Sequence, residues 1–203
     1  HFSIKWMYAY EKPIDSFYLG ILANLEPASI HKLKTFEIYY PKGILTENEF
    51  TNLLPVIENM KNLRVFGLGA KAVKDDVSEA LLRRFFKSLS GLENLDKLVL
   101  EFRFNPSKEV IKELMSSLHK LKDITKVGLY CPYGVETMDS IREYFEQLIS
   151  CKTLKRIRMN FPYSEELKAI IRPNSRKAFV KSIFWDTSYR IVYDIYTNFG
   201  TVF

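Results

Sequence analysis

Seven short segments of this chain place apolar residues at offsets 0, 3 and 5. Leu33, Phe36 and Ile38 make one set, followed by Leu63, Phe66 and Leu68, then Leu95, Leu98 and Leu100. Ile124, Val127 and Leu129 come next, then Leu154, Ile157 and Met159. Weaker copies sit at both ends, as Ile4 and Trp6 and as Val180, Ile183 and Trp185. The start-to-start spacings are 32, 30, 32, 29, 30 and 26 residues. A repeat of this length means one supersecondary unit laid against copies of itself, so that neighbours bury what a single unit leaves exposed.

Within a unit the period changes. The short segments alternate, as strands do, and the stretches between them follow helical spacing. Val110, Ile111, Leu114, Leu118 and Leu121 fall on one helix face. Met138, Ile141, Tyr144, Phe145, Leu148 and Ile149 make another stripe, Leu81, Leu82, Phe85, Phe86 and Leu89 a third, and Leu53, Leu54, Ile57 and Met60 a fourth. Thr46 and Glu49 form a capping box, and Ser107 and Ser164 are N-cap residues for the runs that follow them. Pro173 ends a short helix over residues 165–172. After Trp185 the pattern breaks, and Tyr189, Ile191, Tyr193 and Ile195 share one side of an extra strand.

The L-x-x-L-x-L strand followed by a full helix resembles the long, ribonuclease-inhibitor-like type of leucine-rich repeat. The resemblance implies an α/β solenoid, a horseshoe arc with a parallel concave sheet of about seven strands and convex helices. It divides the chain into a solenoid of six to seven repeats over residues 1–185 and a capping strand and tail over 186–203. The family pattern departs at one point: where Asn or Cys is usual, three residues after the third apolar position, stand Pro41, Lys71, Arg103, Pro132 and Pro162. The chain starts inside a repeat, so the sequence reads as a piece of a longer protein or as one whose first residues are missing.

Bulk properties narrow the function by exclusion. No stretch of about 18 apolar residues exists, which argues against a membrane span. The N-terminal HFSIKWMYAY lacks the features of a signal peptide. Cys131 and Cys151 make neither a disulfide framework nor a metal site. These features point to an intracellular setting, cytoplasmic or nuclear. His1, His31 and His119 fall in different units with no nucleophile beside them, and Gly67 and Gly69 lack the rest of a phosphate loop. The expectation is a chain that is not an enzyme and takes no cofactor and no metal.

Alternation assigns the remaining strand positions to the groove. The middle of that face is small: Val65, Gly67, Gly69, Val99 and Gly128. Tyr39, Tyr130 and Phe184 supply aromatic area, and Lys97, Lys126, Arg156 and Arg158 make a basic ridge. These seven are the candidate partner-binding residues, because large polar-tipped side chains dominate interfaces. Residues 151–190 hold ten Lys or Arg against three Asp or Glu, whereas the whole chain has a net charge of +6, so the rest is close to neutral. The resulting expectation is a protein–protein interaction scaffold within a larger protein or assembly, gripping a protein partner, possibly acidic, through the concave face. A nucleic-acid-associated adaptor using residues 151–190 is the alternative reading.

Overall fold

The computed structural model describes residues 2–7, 27–103, 107–130, 147–148, 150–151, 153–162, 178–186 and 190–197. In β1, β7, β8 and at the ends of some other elements only the backbone is described. Among the described residues eight strands make one sheet: β1 Phe2–Met7, β2 Leu33–Leu45, β3 Val65–Val73, β4 Lys97–Arg103, β5 Lys126–Tyr130, β6 Arg156–Pro162, β7 Ala178–Asp186 and β8 Arg190–Thr197. The described helices are α1 Pro27–Ile30, α2 Glu47–Asn59, α3 Glu79–Leu89 and α4 Lys108–Lys120.

Strands β1 to β6 are parallel and lie side by side in sequence order. The order does not reverse among them, so they contain no topological switch point of the doubly wound kind. The end of the sheet departs from the sequence reading. The order runs β6, β8, β7, and both contacts of β8 are antiparallel. The horseshoe with a wholly parallel sheet of about seven strands is therefore corrected to an α/β fold on a mixed eight-stranded sheet. Val180, Ile183 and Trp185 do not form a seventh parallel unit: β7 and β8 form a hairpin, and β8 takes the place beside β6. The connection between the two strands is only residues 187–189, too short for the crossover that a parallel pair needs. Within the segment expected as a cap, β8 is an inner strand of the sheet, and the edge belongs to β7.

The register aligns the apolar positions into two ladders. One runs Ile4, Phe36, Phe66, Leu98, Val127 and Ile157. The other runs Trp6, Ile38, Leu68, Leu100, Leu129 and Met159. From β2 to β6 every one of these except Met159, whose side chain is outside the described set, is buried. The helices lie against them. Phe50 of α2 meets Phe85 of α3 edge-on at 5.0 Å between ring centroids, and Phe85 lies 6.3 Å from Phe66 of β3 and 5.4 Å from Phe86. Phe36 and Phe66 stack at 5.7 Å. Aromatic pairs at these separations contribute about 0.5–1.5 kcal/mol beyond their area.

Local signals set the helix starts. Thr46 precedes α2, and its N–H donates to the Glu49 carboxylate at 2.8 Å while its hydroxyl also meets that carboxylate. Ser107 accepts from the Val110 N–H at 3.4 Å ahead of α4. Leu53, Leu54, Ile57 and Met60, then Leu82, Phe85, Phe86 and Leu89, then Val110, Ile111, Leu114, Leu118 and Leu121 are buried. Of the 137–149 stripe, Leu148 is buried and Met138, Ile141, Tyr144, Phe145 and Ile149 are outside the described residues, as are Ser164, the 165–172 helix and Cys131. Pro41 does not end β2. The strand continues to Leu45 through a register shift between Tyr40 and Ile44, where a residue without an N–H is tolerated.

The turns ahead of the strands are tied to one another by side chains. Asn62 Nδ2 donates to the His31 carbonyl at 2.9 Å, and Asn94 Nδ2 donates to the Lys61 carbonyl at 3.0 Å. Thr125 Oγ1 meets the Asp96 carboxylate in the next turn along. Asparagine therefore does bridge successive units, but at the strand entrance rather than at the exit.

Candidate functional site

The face of the sheet away from the core carries three transverse rows. The first is Thr35, Val65, Lys97, Lys126 and Arg156, in register on β2 to β6. The second is Glu37, Gly67, Val99, Gly128 and Arg158, and the third is Tyr39, Gly69, Glu101 and Tyr130. Parallel strands lie about 4.8 Å apart, so Lys97 and Arg156 bracket Lys126 within about 10 Å. Like charges set side by side across strands repel.

The repulsion is only partly offset. Lys97 reaches Glu37 with Nζ 3.2 Å from Oε1, crossing β3 to do so. The Glu37 side chain is 8% exposed, against 38% for Lys97, so the carboxylate is the buried partner. Lys126 is exposed and has no hydrogen-bond or ion-pair partner among the described residues. Arg156 is half-buried and engaged by a neighbour.

The glycines of β3 make room for Tyr39. A Cβ on Gly67 would lie 2.7 Å from the Tyr39 hydroxyl and 2.9 Å from Glu37 Cγ. A Cβ on Gly69 would collide with Tyr39 Cδ1 and lie 3.1 Å from Cε1. The ring thus lies across β3, above Gly69, with its hydroxyl over Gly67. Its backbone stays on β2.

These side chains enclose a cleft of about 180 Å³. Its floor is Val99 and Gly128, one end is Tyr39 and Glu101, and the other is Lys97, Lys126 and Arg156. Four of the seven sequence candidates therefore converge: Tyr39, Lys97, Lys126 and Arg156. Tyr130 and Arg158 occupy the third and second rows by register, and their side chains are outside the described set. Phe184 does not stand beside β6. It stands on the outer strand β7, opposite Val192 of β8, which lies between it and β6.

Sequence reasoning missed four positions in register with this face. Glu37 and Glu101 were positions of the groove but not candidates, since the basic ridge drew attention to cations. Asp194 sits opposite Arg158 across β6 and β8, and Tyr196 opposite Arg156. Alternation along β8 would place both on this face, but only the strand order reveals which strand they adjoin. Among the described residues no group of His, Cys, Asp and Glu is arranged to hold a metal ion, and no helix is long and apolar enough to cross a membrane. His119 is exposed near the end of α4, with its ring nitrogens 2.8 Å from the Met115 carbonyl and 3.0 Å from Ser150 Oγ.

No protein-family model matches the chain, and no curated protein matches it. Among solved structures it is similar to TrmK of M. capricolum in complex with the natural cofactor product S-adenosyl-homocysteine. The identity is 12%, the match covers 90% of this chain and 69% of that one, and the TM-score is 0.34. Neither a family model nor a curated protein places the chain among the leucine-rich repeat proteins, and the solved structure named above is not one of them. On that finding the family reading is corrected. The chain is not assigned to the leucine-rich repeat proteins, and the scaffold role and the exclusion of enzyme activity, which rested on that assignment, fall with it. At this TM-score the similarity carries no fold, cofactor or activity over to this chain.

Proposed function

We propose that the cleft on the polar face of the sheet binds a small ligand through a phosphate or comparable multiply charged anionic group, held by Lys97, Lys126 and Arg156. The observation that carries this reading is the in-register row of three cations on adjacent strands, of which Lys126 has no partner among the described residues. Such a row costs stability in the empty protein, because directly opposed like charges are unfavourable. An anion seated against it removes that repulsion and gains charge-assisted hydrogen bonds. Arg156, which keeps its neighbour as well, adds its charge at one end of the row, and the two lysines act as point charges.

Glu37 gives the row its shape. By holding Lys97 from beneath, it fixes one cation at an edge of the cleft without reaching the exposed Lys126. Small floor residues leave the space above them for the ligand.

Calorimetric titration with inorganic pyrophosphate tests the reading. Binding should weaken at least about 10-fold in Lys126→Glu and should fall as salt is raised, because part of the attraction is screened. The variant should keep the wild-type circular dichroism spectrum, since Lys126 is exposed. Equal pyrophosphate affinity in wild type and Lys126→Glu, or no binding to either, would overturn it.

A further inference from the structure

The same cleft has a second chemical character at its other end. Tyr39 lies over Gly69 and Gly67, so one face of its ring is set against the β3 backbone. The residue is half-buried and lines the cleft, which leaves ring surface accessible from the ligand side. The floor beneath that space is apolar at Val99. Glu101 lines the same end and has a partner of its own; a carboxylate has lone pairs for more than one donor.

Distances along the strands relate the two ends. Each residue advances about 3.3 Å, so the second row lies about 7 Å from the cation row. The Tyr39 hydroxyl reaches the second row, over Gly67, and its ring extends toward the third. An aromatic edge and a row of three cations therefore face one cleft across roughly the span of a single sugar.

We propose that the ligand is a nucleoside monophosphate or a close analogue: its phosphate on Lys97, Lys126 and Arg156, its planar base stacked on Tyr39, and a sugar hydroxyl or base amino group donating to Glu101. This deepens the anion-binding reading and rests on it. A purely anionic ligand would make no use of the ring, and an uncharged aromatic would make no use of the cations. Stacking on an aromatic side chain accepts any base, so the site discriminates for a ring joined to a phosphate more than for one base.

The test compares three probes on the intact chain by calorimetry: inorganic pyrophosphate, ribose 5-phosphate and adenosine 5′-monophosphate. Adenosine 5′-monophosphate should bind about 10-fold more tightly than ribose 5-phosphate, a gain of the size that one base stack supplies. Tyr39→Leu should erase that difference, whereas Tyr39→Phe should keep it. Equal affinity of the two sugar phosphates for the wild-type protein overturns the nucleotide inference even if Tyr39→Leu does not fold. In that case retained pyrophosphate binding, weakened by Lys126→Glu, leaves the anion site standing. Failure of all three probes removes both readings.

Discussion

Lys97 on β4 reaches over β3 to Glu37 on β2, bringing Nζ within 3.2 Å of a carboxylate oxygen that is almost wholly buried. The pair crosses β3 diagonally, from Lys97 beside Val65 to Glu37 beside Gly67, which has no side chain to obstruct it.

Removing the cation leaves a buried carboxylate short of one partner. Lys97→Met should cost about 1–3 kcal/mol, the range for leaving a buried polar group unsatisfied. Lys126→Met, the neighbouring cation on β5, should stay within about 0.5 kcal/mol, as exposed substitutions usually do. Urea denaturation of the two variants measures the difference, and equal losses would mean that the Glu37 contact contributes nothing to stability.

Gly69 and Tyr39 should be energetically coupled. Gly69→Ala places a methyl group against the Tyr39 ring and should cost about 1–3 kcal/mol, as overpacking does. With Tyr39→Ala already present, the nearest remaining obstacle is Glu101 Cβ at 3.4 Å, an ordinary contact. The same glycine substitution should then be neutral or mildly stabilising, because alanine loses less backbone freedom on folding. A double-mutant cycle with a coupling energy near zero would place the ring elsewhere.

Phe85 joins the helix layer to the sheet, touching Phe50, Phe66 and Phe86. Phe85→Ala should destabilise by about 3–5 kcal/mol through the cavity it opens among fully buried rings. Thermal unfolding gives the value, with Leu81→Ala, half-buried at the edge of the same helix, as the milder reference.

Ser117 lies fully buried on α4, and its hydroxyl has no hydrogen-bond partner among the described residues. Ser117→Ala should stabilise the chain by about 1 kcal/mol, since it removes an unsatisfied group and improves helix propensity together. A loss of stability in denaturant titration would show that the hydroxyl has a partner in solution.

Much of the strand arrangement was legible because alternation is unforgiving: a shift of one residue would exchange the buried and polar faces. That is why Lys97, Lys126 and Arg156 could be set in one row from their distance to Leu98, Val127 and Ile157. The helix stripes were legible for the same reason. The place of β8 was not, because Ile191, Tyr193 and Ile195 alternate equally well at an edge or in the middle of a sheet. Pairing there depends on the short 187–189 connection and on which neighbour is free. Nor could Phe184 be separated from β6 without that order. The family reading failed for a related cause. Offsets 3 and 5 express the period of any strand, and offset 0 marks an apolar residue in the turn before it, so the spacing records packing rather than descent. The Glu37–Lys97 contact and the Tyr39 ring position depend on side-chain reach across a glycine strand, which no one-dimensional spacing records.

Asn62 and Asn94 each stand three residues ahead of the strand they introduce, β3 and β4, and each is fastened to the turn before it. The piece from asparagine to strand is therefore of fixed length, and the variation in spacing between units, 29 to 32 residues among the central ones, falls elsewhere. It is taken up between the end of one strand and the next asparagine, along the helix side. Extra residues added after Val73, in the exposed stretch 74–76, would lengthen a loop and leave the cleft undisturbed. One residue added between Asn94 and Lys97 would turn the next strand over and carry a cation into the core.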